Sequence, residues 1–351
     1  MNREPLQNDA NLTQHGGLTP ETAVLLIKAR ARALGFDACG IATADEVSPA
    51  AAQALQQWLD AGHAADMDYM RRNQDLRLDP RLLQPGARSL IVTALNYYPE
   101  QRQEGAMRFA YYAYGIDYHY VVRNLLSELQ KYIRAEIAPQ LMPDTPLEGR
   151  PFTDSAPLME RYWAVQAGLG FIGRNQMLIL PGRGSYFFLG TLALNLPLPA
   201  DVPRHIGCGS CHRCEAACPT GALQRKAPTA AEAECPPDTT LDARRCISYQ
   251  TIENRTAEIP SDVAAQLQGR LYGCDACQQA CPWNRFARPT TVEAFRPVPE
   301  FLSLDAATLR ALGTGGFKRL FRHSAVMRAG YKGLLRNLQY LETGREGETV
   351  Q

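Results

Sequence analysis

Hydrophobic positions along the chain follow helical and strand periods in turn as far as residue 200, and beyond it both patterns give way to cysteine-rich loops. Thr19-Pro20 reads as a helix cap and first-turn pair. Apolar Val24, Leu25, Ile27, Ala31 and Leu34 follow at helical spacing, and Gly35 ends the run. DACGIATA (37–44) has strand character, and ARSLIVTALNYY (87–98) predicts a second, more buried strand. DYHYVVRNLLSELQKYIRAEI (117–137) predicts a long amphipathic helix stopped at Pro139. A Pro-rich loop follows, then a short helix in SAPLMERYWAVQAG (155–168). Residues 175–195 predict a β-hairpin with Pro181, Gly182 and Gly184 in its turn. Residues 197–290 are short loops, and 301–342 return to helix.

This pattern divides the chain into a disordered polar extension (1–18), an α/β domain (19–198), a cysteine-rich domain (199–292) and a helical region (293–351). A length of 351 residues, with 45% hydrophobic and 21% charged residues, fits a soluble globular protein with more than one domain. The net charge of +1 gives no global attraction to nucleic acid or membrane, so a polyanion must meet a local patch. No run reaches the length of a membrane span, and the N-terminus lacks a basic region followed by an apolar core. A cytoplasmic, monomeric protein without a membrane partner is the expectation. In a reducing compartment, the ten cysteines argue for metal or cluster ligation over disulfides.

Their spacing says which. GCGSCHRCEAACPTGAL (207–223) contains Cys208, Cys211, Cys214, Cys218 and Pro219 as Cys-x2-Cys-x2-Cys-x3-Cys-Pro, the bacterial ferredoxin run. Three closely spaced thiolates there serve one [4Fe–4S] cluster, and the cysteine before proline serves another. YGCDACQQACPWN supplies the second motif, with Cys274, Cys277, Cys281 and Pro282. The first cluster is then held by Cys208, Cys211, Cys214 and Cys281, and the second by Cys218, Cys274, Cys277 and one more. Leu271 stands where a ferredoxin would have that ligand, leaving Cys235 and Cys246. Cys235 sits in APTAAEAECPPDTT, which reads as an exposed insertion, so Cys246 is preferred. Zinc knots would have no use for the x3-Cys-Pro tail. Cys39, in a predicted buried strand, reads as a small core hydrophobe.

Two clusters make an electron relay, yet some 200 residues precede them. FTDSAPLMERYWAVQAGLGFIGRN, GSYFFLG and LDARRCISYQTIEN together resemble the epoxyqueuosine reductase family, over residues 20–340. The resemblance implies a nitroreductase-like α/β domain that binds cobalamin, beside a ferredoxin-like domain with two [4Fe–4S] clusters. It implies reduction of the epoxide of epoxyqueuosine, at the tRNA wobble position, to queuosine, with an external low-potential electron donor. Asp154 becomes the proton donor and a cobalamin contact, and Arg161 holds the carboxylate or substrate. Asn175, Leu178, Ser185 and Leu189 line the corrin, Ser248 bridges it to the cluster domain, and His119 is a pocket histidine. Some relatives carry cysteine at the position of Ala110. Asp117-x-His119 begins like the Asp-x-His-x-x-Gly cobalamin motif, but Val122 replaces its glycine, so no protein imidazole is expected on cobalt.

Removing the epoxide oxygen consumes two electrons and two protons, and a positioned acid must protonate the departing oxygen. Three other readings share part of the pattern: a cobalamin-dependent reductive dehalogenase-like reductase, a non-catalytic ferredoxin-type electron carrier, and a flavin-dependent reductase. The polyanion partner has its own local signal. Residues 310–340 hold Arg310, Lys318, Arg319, Arg322, Arg328, Lys332 and Arg336 and no acidic residue. Phe317, Leu320, Phe321, Tyr331, Leu334, Leu335 and Leu338 form a candidate buried stripe that leaves the basic residues outward. Arg319, Arg322 and Lys332 are the candidate tRNA contacts. Related chains often extend here into helical repeats, of which 293–351 looks like a truncated form.

Overall fold

The structure, a computed structural model, describes residues 17–226 and 238–346. Cys235 and nearly all of the expected N-terminal extension lie outside the described residues. Helix α1 (Pro20–Ala33) begins as its cap predicts: Thr19 Oγ1 accepts the N–H of Thr22 at 3.2 Å, with Pro20 in the first turn. Strand β1 (Ala38–Thr43) follows. Helix α2 (Pro49–Asp60), to which the sequence pattern assigns nothing, repeats the device with Ser48 as cap and Pro49 in its first turn.

Strand β2 (Ser89–Asn96) is buried on both faces, and its alternating residues separate two cores. Ile91 and Leu95 face one core, with Ile27 of α1. Leu90, Val92 and Ala94 face the other. The short β3 (Arg108–Phe109) leads into α3 (Tyr118–Tyr132), whose Val122, Leu126 and Leu129 join the first core. The helix does not stop at Pro139. A wide π-type turn over Ile133–Ile137 is followed by a further helical turn at Ala138–Leu141 that carries the proline at its start. A proline lacks the N–H that an inner helical position must donate, and a first turn has no such need.

Strand β4 (Gly149–Phe152) and helix α4 (Glu160–Gln166) come next, then β5 (Phe171–Ile172), β6 (Leu178–Ile179) and β7 (Phe187–Leu194). The predicted hairpin over 175–195 is not formed. β6 turns back onto β5, whereas β7 enters the main sheet between β2 and β4, leaving a single Leu180–Gly184 bridge at the turn. The apolar run of β7 suits a strand flanked on both sides. The sheet order is β1-β2-β7-β4, antiparallel throughout. β4 was hidden from the sequence by Pro151, which an edge strand tolerates. Trp163 and Ala164 of α4 cover the face opposite α1 and α3, giving mixed α and β layers around the sheet.

The cysteine-rich part adds the hairpin β8 (Leu223–Arg225) and β9 (Thr239–Leu241), helix α5 (Ile247–Ile252) and strand β10 (Arg270–Tyr272). β10 pairs in parallel with β3, so residues 107–114 leave the first unit and pack into the C-terminal core. Helices α6 (Gly313–Leu320) and α7 (Gly330–Glu346) close that core with Phe317, Phe321, Leu334 and Leu338 buried, as the apolar stripe predicts. Leu320, Tyr331 and Leu335 are half-buried. On α7, fully buried Asn337 donates to the carbonyls of Thr251 and Leu271, each at 2.9 Å. It thereby fixes α5 against β10. No helix among the described residues is long and apolar enough to cross a membrane.

Candidate functional site

All nine described cysteines carry free thiols, and eight of them gather in two groups. Cys208, Cys211, Cys214 and Cys281 line one small hollow with Arg174, Asn175 and Trp283. Burial, then the neighbouring Cys208 and Cys281, push the Cys214 thiol up to about 11. In the second group, Cys277 is raised by burial and by the proximity of Cys274, Cys246 and Cys218. Cys246 is thus the described cysteine that completes this quartet. Among the described residues no three His, Cys, Asp or Glu side chains converge as ligands of one ion do. A cubane takes one thiolate at each corner and holds its ligands farther apart than a mononuclear ion.

Backbone donors point at these sulfurs. Arg174 N–H lies 3.4 Å from Cys208 Sγ and Ala222 N–H 3.2 Å from Cys218 Sγ, while Ser248 and Tyr249 N–H groups face Cys246. The Arg174 side chain binds Asp238 through two bonds of 2.7 and 2.8 Å and the carbonyls of Gly209 and Cys211. It ties the loop after β5 to the first quartet. Ser185 serves a similar purpose: its hydroxyl donates to Gln278 at 2.9 Å and its N–H to Asn284 Oδ1 at 2.7 Å. A Cβ at Gly184 would lie 2.2 Å from Asn284 Oδ1, so this close approach requires glycine. The Ser185 side chain is thereby engaged at the junction between sheet and cluster loops.

The second element of the site is built around Asp154, between β4 and α4. Asp154, after β4, has a left-handed backbone (φ 48°), as does Gln176 (φ 62°). Such conformations are sparsely populated for non-glycine residues and persist where the surroundings impose them. Here Asp154 N–H donates to Glu160 Oε1 at 3.0 Å, and the Tyr118 hydroxyl donates to Asp154 Oδ2. Arg161 does not hold the Asp154 carboxylate; it donates to the carbonyl of Gln176. Its charge still lies within electrostatic reach of Asp154. His119 Nδ1 lies 2.6 Å from Asp117 Oδ1, and its ring stacks on Tyr118 at 4.2 Å. Burial pulls the His119 pKa down, but the Asp117 bond and the nearby Asp154 outweigh it and the net shift is upward. Val122, at the glycine place of the cobalamin motif, is fully buried in the first core.

Asp154 and Arg161 are exposed to solvent, yet burial lowers the Arg161 pKa and raises Glu160 to about 8. Both observations describe a recessed site that water reaches while protein crowds around it. Arg77 stands nearby: it is 8% exposed, within electrostatic reach of Asp154, and its Nε has no partner among the described residues. The sequence pattern singles out neither Glu160, Tyr118 nor Arg77. Glu160, adjacent to Arg161 and six residues after Asp154, carried the only legible signal.

Leu178 is buried in β6, and the Leu189 carbonyl accepts the Thr153 hydroxyl at 2.9 Å beside Asp154. Asn175 lines the hollow of the first quartet, where its buried Nδ2 has no partner among the described residues. Cys39 packs against the first core, and burial raises its thiol to about 12. The C-terminal basic residues do not all face outward unpaired. Arg310 pairs with Glu342 and Arg328 with Glu253. Half-buried Arg336 donates to the carbonyls of Gln250, Asn254 and Thr256 at 2.7–2.8 Å. A C-terminal helix end offers such free carbonyls, and α5 takes its cation from α7. Lys318, Arg319, Arg322 and Lys332 are exposed, and no ion pair forms on them among the described residues.

Two thiol quartets of ferredoxin spacing and a recessed acid define an iron–sulfur oxidoreductase. Residues 207–284 match the 4Fe-4S double cluster binding domain, and residues 77–155 match the family described as epoxyqueuosine reductase QueG, DUF1730. The epoxyqueuosine reductase of Cyclobacterium marinum is 39% identical over 328 residues, covering 92% of this chain and 98% of the relative. That of Escherichia coli K12 is 38% identical over 314 residues, covering 87% and 76%. A crystal structure of epoxyqueuosine reductase with an epoxyqueuosine-modified tRNA-Tyr stem loop aligns with a TM-score of 0.78 at 28% identity, covering 90% of this chain and 80% of that one. The Bacillus subtilis enzyme, in a structure with its catalytic aspartate loop swung out of the active site, aligns with a TM-score of 0.78 at 27% identity, covering 93% and 82%. The chain belongs to the epoxyqueuosine reductase family.

Proposed function

We propose that the protein reduces the epoxide of epoxyqueuosine at the wobble position of tRNA to the alkene of queuosine, with cobalamin in the Asp154 recess. The observation that carries this reading is the strained Asp154 loop, held by Tyr118 and Glu160 near Arg77, whose Nε donor has no partner among the described residues. A corrin bears amide side chains that accept such donors, so the residues present fit the group. Arg77 through its Nε, and Asn175, Leu178, Ser185, Leu189 and Ser248 largely through backbone groups, would hold it beside Asp154, in an α/β unit of nitroreductase-like kind. Bound there, cobalamin would supply a low-valent cobalt able to reduce the epoxide carbon.

The remaining chemistry belongs to this chain. Asp154 gives its proton to the departing oxygen, and Tyr118 orients the carboxyl through Oδ2. Cys208, Cys211, Cys214 and Cys281 hold one [4Fe–4S] cluster, and Cys218, Cys246, Cys274 and Cys277 the other; both pass electrons singly. Arg319, Arg322 and Lys332 meet anticodon-stem phosphates while the flipped wobble base enters the recess. The setting is cytoplasmic, with the protein acting as a monomer. Anaerobic titration of the cluster-loaded protein with cobalamin, followed by absorption, tests the reading. A stoichiometric change in the corrin spectrum supports it. Failure to bind would leave a two-cluster electron carrier.

A further inference from the structure

Consecutive tyrosines after β3 face opposite ways. Tyr112 packs edge-on to Tyr118 at 6.4 Å, toward the Asp154 recess, while Tyr111 lines a separate cavity of about 670 Å³. Arg102, Arg108, Arg213, Arg270 and Arg285 line this cavity. The one carboxylate that lines it among the described residues, buried Asp275, accepts the N–H of Tyr111 at 2.8 Å. Cys274 of the second quartet and Cys281 of the first both stand in its wall. Tyr98 and Tyr111 supply an aromatic side, with the Arg102 guanidinium 5.0 and 5.4 Å from their ring centres.

We propose that this cavity is the electron entry and that it takes a reduced flavin mononucleotide. The inference rests on the assignment of the two quartets to [4Fe–4S] clusters. Its volume lies in the range of small-ligand sites. Arginines suit a phosphate ester, and the tyrosines suit a planar ring. Proximity to ligands of both clusters calls for a redox-active occupant. A reduced nicotinamide gives up a hydride, an electron pair at once, whereas a cluster accepts single electrons; a reduced flavin releases its electrons one at a time. One flavin hydroquinone yields two electrons and two protons and becomes oxidised flavin. The clusters take the electrons in turn. Conversion of an epoxide to an alkene and water consumes two electrons and two protons, so the exchange balances. The groups line a ligand-sized hollow, which favours the free nucleotide over a flavoprotein docked on a face.

The test compares the cluster-loaded protein with an Arg213→Gln/Arg285→Gln double variant and, separately, Arg102→Gln, iron content confirming that each is folded. Flavin fluorescence should be quenched saturably by the parent protein, with riboflavin, which lacks the phosphate, binding at least about tenfold more weakly. Cluster bleaching by photoreduced flavin mononucleotide should saturate in the parent and weaken about tenfold in the double variant, while bleaching by reduced methyl viologen stays equal. Unsaturable, equal rates in parent and variants would overturn the proposal. So would displacement of the flavin by a tRNA stem loop, or saturation only with flavin carried by an acidic flavoprotein. Failure of viologen to bleach the parent would instead remove the cluster assignment on which the proposal stands.

Discussion

The backbone N–H of Asp154 donates to Glu160 Oε1 at 3.0 Å, and the Asp154 carboxyl, whenever it is ionised, makes the Glu160 proton harder to lose. Burial, the larger effect, and Asp154 together raise Glu160 to about 8 from an ordinary 4.5. An acid with a raised folded-state pKa binds its proton more tightly when folded. Its contribution to stability is full below the unfolded value and is lost as pH rises through the folded one. Stability should therefore decline from about pH 5 to about pH 8, and Glu160→Gln should flatten that part of the profile. Denaturant unfolding across the range measures it; parallel profiles for both proteins would refute the assignment.

Asp154→Asn keeps the shape of the carboxyl and removes its acidity. The variant should retain both clusters and bind cobalamin, yet turn over roughly 10²-fold more slowly or worse. Parent-like turnover with every cofactor loaded would remove Asp154 from the role of proton donor.

Both clusters require about eight irons and eight labile sulfides per chain in anaerobically prepared protein. Cys246→Ser should lower the iron content toward half by damaging the second cluster, and Cys235→Ser should leave it whole. Iron and sulfide analysis decides between them, and the reverse pattern would make Cys235 the eighth ligand.

Asn337 reaches from α7 to two carbonyls, one on α5 after Cys246 and one on β10 before Cys274. Asn337→Ala strands both, at about 1–3 kcal/mol for each carbonyl left unpaired. The denaturant midpoint should fall, with the second cluster lost first on dilution into chelator. An unchanged midpoint would show that water or a neighbour replaces the amide.

Much of this arrangement was legible in the sequence, because certain residues admit few physical alternatives. The Thr19-Pro20 cap and the doubly buried β2 carry local signals that the structure reproduces, and the Cys-x2-Cys-x2-Cys-x3-Cys-Pro run lies in the stretch that matches the 4Fe-4S double cluster binding domain. What escaped was set by distant partners. The run at 187–194 reads equally well as a hairpin arm or a central strand, and only β2 and β4 decide it. Pro139 looked like a stop until the π-type turn before it gave the proline a first-turn position. Arg310, Arg328 and Arg336 looked like a solvent-facing basic surface, but their acceptors lie 32, 75 and 80 or more residues away in sequence. Tyr118 and Arg77 reach Asp154 from other elements, which no periodicity reports.

The remaining exposed cations make a sharper tRNA prediction than the whole basic stretch did. Replacing Arg319, Arg322 and Lys332 with glutamate should weaken binding of a tRNA stem loop and reduce its salt dependence by roughly one unit of slope per lost phosphate contact. Cluster content should not change. Unaltered affinity and slope would leave these side chains as ordinary surface.

The central claim is tested most directly by anaerobic turnover of an epoxyqueuosine-containing tRNA stem loop, with chemical reductant, by the cluster-loaded protein with and without cobalamin. Mass spectrometry of the released nucleosides should find the epoxide converted to the alkene, with loss of one oxygen atom, only when cobalamin is present. Conversion that proceeds equally without cobalamin, or none at all when cobalamin and both clusters are bound, would contradict the account.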